Sequence, residues 1–163
     1  MKNNLKEQIP PSLDLAFDWV KGVLYDQGHN ANILDRKGTT IFSAATVVLG
    51  VGVAAGILVL KDIQIIPLIF GGLTLISYGW VAGFFFEAGR LRRFQTLDNP
   101  IIIRQWYLDM SPSQFKMEIL SHLEDSYQAN ERTLHKKANA IQGLIGSTTA
   151  EVVLLILALA FTL

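Results

Sequence analysis

Two uncharged apolar runs, Thr39 to Leu60 and Ile63 to Phe86, are separated only by Lys61-Asp62, and they constrain this chain more than anything else in it. A bilayer core about 30 Å thick is crossed by about 20 apolar residues rising about 1.5 Å each. Both runs reach that length, and the short link between them allows only a tight helical hairpin. Buried helices of a soluble domain are usually shorter and amphipathic, so the runs read as membrane spans. Counting back about 20 residues from Leu163 reaches Leu144 and gives a third span, interrupted only by Glu151. With 50% hydrophobic residues and a mean hydropathy of +0.33, little of the chain is left for a separate soluble core.

The fold expected is a single-domain, all-α membrane protein over residues 1–163. Its parts are a cytoplasmic helix 12–38, spans 39–60 and 63–86, a cytoplasmic segment and helix 87–143, and a span 144–163. The first and third spans extend into a cytoplasmic helical bundle. Of the 14 Lys and Arg, all but Lys61 precede the first span or lie between the second and third. Basic loops stay inside, which puts the N-terminus in the cytoplasm and the C-terminus outside. The formal net charge of zero argues against bulk nucleic-acid binding. No cysteine is present, so disulfides and thiolate chemistry are excluded. The polar start MKNNLKEQIPPSLD has no apolar h-region, so no cleaved signal peptide is expected.

Pro10-Pro11-Ser12 opens the first helix. From there Leu13, Phe17, Val20, Leu24, Gln27, Ala31, Leu34, Gly38 and Ile41 step by three and four, a heptad seam running into the first span. Gln27 and Gly28 weaken it midway. Ser111-Pro112-Ser113 carries cap signals for a second long helix. Its seam is Leu120, Leu123, Tyr127, Asn130, Leu134, Lys137, Ile141 and Leu144. Polar residues at seam positions, here Asn130 and Lys137, sacrifice stability for register or partner number. The two seamed helices are therefore parallel, with the second span returning between them.

Small residues let helices approach closely in lipid, and GxxxG occurs at Gly52-Gly56 and again at Gly79-Gly83. These pack within one chain or between copies in a homo-oligomer. Arg90, Arg92 and Arg93 follow the second span and either anchor topology on anionic lipid or contact phosphate. Residues 101–108 read equally as a strand or a surface segment. By span counting, Asp35 lies level with Ala138, within about one turn of Lys137. The two either pair just below the membrane or stand as independent surface charges.

Glu151 is the one charge inside any span, roughly 10 Å past Leu144 at about 1.5 Å per residue. An ionised carboxylate facing lipid there costs several kcal/mol, so it faces protein or water, or takes a proton. One reading bonds it to the hydroxyls of Thr46, Thr74, Ser77 or Tyr78. The other is a ring of Glu151 side chains from several subunits, lining a cation-preferring pathway.

Asp35-x-Lys37 before a two-span hairpin, with Asn130-x3-Leu134-x2-Lys137 leading into a last apolar helix, resembles small bacterial antiphage membrane effectors. The similarity is to the transmembrane effectors of Pycsar and to two-span effector domains associated with cyclic-nucleotide synthases. It covers roughly Asn30–Leu60 and Tyr127–Leu163. The resemblance implies membrane disruption or depolarisation when a nucleotide signal is sensed; a co-encoded sensor protein is the other candidate partner, and no cofactor is expected. The chain departs from the better-known members in carrying no appended nucleotide-binding domain. A non-catalytic accessory or scaffold subunit is the alternative.

Catalysis is not expected. His29, His122 and His135 show no metal spacing, and no phosphate-binding loop, GxSxG or HExxH occurs.

Overall fold

Proline at the first helical position has a pre-set φ and no N–H to leave unpaired, and two of the three helices begin that way. In a computed structural model of the protein, which describes residues 11–59, 65–90 and 110–161, α1 runs Pro11–Val59, α2 Ile65–Arg90 and α3 Pro112–Ala160. The Lys61-Asp62 turn, Arg92, Arg93, the 94–109 segment and Leu163 lie outside the described residues. All three helices are long and apolar enough to cross a membrane. Among the described residues the chain is all-helical, which fits the expected class.

The helix ends follow their local chemistry. Ser111 and Gln114 form a reciprocal capping box at the start of α3: Gln114 N–H donates to Ser111 Oγ at 3.4 Å, and Ser111 N–H donates to Gln114 Oε1 at 3.3 Å. α1 continues unbroken through Gly28. α2 extends beyond the expected end at Phe86 to Arg90, because Glu87 and Ala88 are good helix formers and Arg90 suits a helix C-terminus.

The sequence reading counted one domain; the chain groups into two compact units, one of Met1–Asn30 and Arg93–Leu134, the other of Ala31–Arg92 and His135–Leu163. In the first, Ile119, Leu123 and Ser126 of α3 are buried, as is Gln27 of α1. Gln27 Nε2 donates to the Tyr127 carbonyl at 3.2 Å, and Lys116 pairs with Asp14.

The second unit is built on Ala45, Val81, Ala88, Ala140, Ile141 and Leu144. Phe42 stacks on Phe85 with centroids 4.2 Å apart. Here α1 and α3 are parallel and in register. Gly38 sits against Ile141 and, two heptads on in both helices, Gly52 against Leu155. α2 runs antiparallel to α3, since Phe84 meets Gly143, Ser77 meets Ser147 and Phe70 meets Phe161. Large apolar side chains such as Val47, Ile66, Ile76, Trp80 and Ile156 face outward. In water such a surface would drive aggregation, whereas hydrocarbon matches it.

Candidate functional site

The second unit concentrates its polar chemistry along the inward face of α3. Lys137 and Glu151 stand two heptads apart with Leu144 midway, and all three are 0% exposed. A shared heptad position points them toward one seam.

Gly38, one turn after Asp35, makes the first contact possible. A Cβ at Gly38 would lie 2.7 Å from Ile141 Cδ1, the far end of a flexible side chain that would have to shift, so glycine eases this helix approach. Close approach carries Asp35 to Lys137, and Lys137 Nζ lies 2.8 Å from Asp35 Oδ1. The ammonium is enclosed, with its side chain 1% exposed, while the carboxylate reaches solvent at 35%. Nζ has no partner in hydrogen-bond geometry despite that distance. The contact is thus Coulombic attraction, which needs no alignment, without the extra stability of a directed bond. Lys37, the other basic residue of the Asp35-x-Lys37 pattern, is exposed, as is Arg90 at the end of α2. Asn130 belongs to the other unit, is buried and has an interaction partner.

Glu151 departs from what the sequence led us to expect. Thr46 donates to the Phe42 carbonyl at 2.9 Å and shares a 3.1 Å hydrogen bond with Tyr78 Oη. Thr74 donates to the Phe70 carbonyl at 2.8 Å, and Ser77 to the Ser147 carbonyl at 3.0 Å. Every hydroxyl assigned to Glu151 is thus bonded elsewhere, and neither Glu151 oxygen has a hydrogen-bond partner. The cause for Thr46 and Thr74 is local: a helical threonine meets its own helix's carbonyl four residues back before anything else. Within the single chain the Glu151 side chain is fully enclosed.

The glycine motifs separate. Gly52 packs on Leu155, and Gly56 lies in α1 near its end. Gly79 and Gly83 have nothing within 4 Å of where a Cβ would be, so their face of α2 is open. Two close contacts had no sequence signal. Gly143, not in any GxxxG, would place a Cβ 2.6 to 2.8 Å from three atoms of the Phe84 ring. Ser77 reaches across to the α3 backbone from a helix whose apolar residues run all round, so no face could be read.

Among the described residues no three His, Asp or Glu gather as metal ligands would. Comparison with family models, curated proteins and solved structures finds no match to this chain. The arrangement is a charge contact between parallel helices, and an enclosed carboxyl farther along one of them.

Proposed function

We propose that the three helices cross the bacterial inner membrane, with the N-terminus cytoplasmic and the C-terminus outside. In this reading the chain is a membrane effector: copies associate, and on a defence signal the assembly perturbs or permeabilises the bilayer. The signal is a nucleotide or a co-encoded sensor protein, received by the parts of α1 and α3 on the cytoplasmic side of the spans.

The observation that carries this reading is the Asp35–Lys137 contact. In this reading it lies where both parallel helices pass from mixed to largely apolar sequence, and so it holds them together at the entrance to the bilayer. A one-sided, unaligned ion contact is a clamp that a competing charge or a small rotation releases. Signals act on such bistable contacts by binding one arrangement more tightly than the other. The burial of Lys137 in the seam suits a contact that is either made or broken, as a switch requires.

The experiment is dye release from sealed liposomes of bacterial lipid containing the full chain, with and without cyclic nucleotides or the product of a neighbouring sensor gene. Release that depends on the signal, and becomes signal-independent in Lys137→Met, supports the effector. A chain that inserts, stays sealed under every condition and still retains a co-encoded partner is the accessory subunit instead.

A further inference from the structure

We propose that Glu151 is an intramembrane cation-binding site, its two enclosed oxygens taking one monovalent cation, a proton or an alkali ion. The proposal requires only that α3 crosses the bilayer and does not depend on the effector reading.

The first ground is enclosure without satisfaction. Glu151 is 0% exposed, and neither oxygen has a hydrogen-bond partner among the described residues. A carboxylate in that state is far costlier to bury than one that is bonded, so something must complete it. No side chain supplies the missing positive charge. Residues 41–59 of α1, 65–86 of α2 and 138–160 of α3 contain no Lys, Arg or His. Lys137 stands two heptads away, about 20 Å along the helix, and it is already beside Asp35.

The second ground is what lies level with the carboxyl. Ser77 reaches Ser147, one turn before Glu151, and Thr74 lies one turn along α2 in the antiparallel direction, at the depth of Glu151. Both are buried. Each hydroxyl donates its proton to a backbone carbonyl, which leaves its oxygen lone pairs available. Carboxylate and hydroxyl oxygens are hard donors suited to a small monovalent cation and unsuited to soft metals. Glu151, Thr74 and Ser77 thus set buried oxygen acceptors at one level of the bundle, with no cationic side chain among the spans to balance them.

A hydrophobic carbodiimide tests this in membranes containing the full chain. An acid O–H adds across the C=N bond, and acyl migration leaves an N-acylurea with the mass of both reactants. In buffer whose only small cation is choline, the hydrophobic reagent should label Glu151 faster than a water-soluble carbodiimide by about tenfold or more. Mass spectrometry of the peptide containing Glu151 reads the adduct. Protection by sodium but not by added choline assigns an alkali ion, and no protection by sodium assigns a proton. Absence of any Glu151 adduct, or equal labelling by the two reagents, overturns the proposal. As an independent readout, the melting temperature of the wild type should rise with acid or with sodium relative to that of Glu151→Gln measured under the same conditions. The same rise in both proteins also counts against the site.

Discussion

Lys137 is the more deeply enclosed partner of an ion contact whose other member, Asp35, keeps about a third of its side chain in solvent. That asymmetry sets unequal costs for breaking it. Asp35→Asn leaves an ammonium buried without a counter-charge, a loss of about 3 kcal/mol. Lys137→Met leaves a carboxylate that can hydrate and fills the same space with an apolar chain, costing about 1 kcal/mol or less. The double variant should resemble Lys137→Met alone. Unfolding in detergent micelles measures all four proteins, and additive losses would show that the two charges do not interact.

Glycine substitutions should rank by what a Cβ would strike. At Gly143 the obstacle is a rigid Phe84 ring, so Gly143→Ala should cost about 1–3 kcal/mol despite the better helix propensity of alanine. At Gly52 the obstacle is the flexible end of Leu155, and the loss should be smaller. Gly79→Ala and Gly83→Ala meet nothing and should lie within about 0.5 kcal/mol of the parent. Leucine at Gly79 and Gly83 separates the two readings of that motif. If copies associate through the open face of α2, cross-linked oligomers fall while monomer melting is unchanged.

Gln27 is half satisfied: Nε2 donates to the Tyr127 carbonyl, while Oε1 is buried without a partner. Gln27→Leu loses one hydrogen bond and also removes the orphaned acceptor, so the change should stay within about 1 kcal/mol of neutral. Gln27→Ala adds a cavity and should cost about 1–2 kcal/mol more than leucine. Thermal melts of the two variants side by side settle the order. An alanine variant as stable as the leucine one would mean that the site collapses around the gap.

Orientation has a direct test because the chain has no cysteine. Cysteines introduced one at a time at Ser12 and Asp62 should react oppositely with an impermeant thiol reagent on intact cells. Labelling at Asp62 alone is expected from the basic residues that flank the spans. Labelling at Ser12 alone would invert the topology.

Sequence periodicity located the seam accurately because both long helices are regular. From Leu13 to Ile41 every expected seam residue is buried or half-buried, and the same holds from Leu120 to Leu144. Constant rise along unbroken helices also explains why counting from the span ends brought Asp35 within one turn of Lys137. What periodicity could not supply was the destination of each hydroxyl. Thr46, Thr74 and Thr148 all donate to the carbonyl four residues back, a local preference that removes them as ready donors to Glu151. The Phe84–Gly143 contact was equally hidden, since a helix apolar on every side does not advertise which ring points inward.

The contacts joining α1 to α3 link residues as far as 100 and 102 positions apart. They form only when nearly the whole chain has been made. During synthesis, then, α1 and α2 exist first as a hairpin whose groove at Gly38 and Gly52 is unfilled, and closure waits on the last helix to arrive. Tethered to α2 by the chain itself, α3 reaches that groove at a far higher local concentration than any free copy, so closure is timed by synthesis and not by how much protein is present.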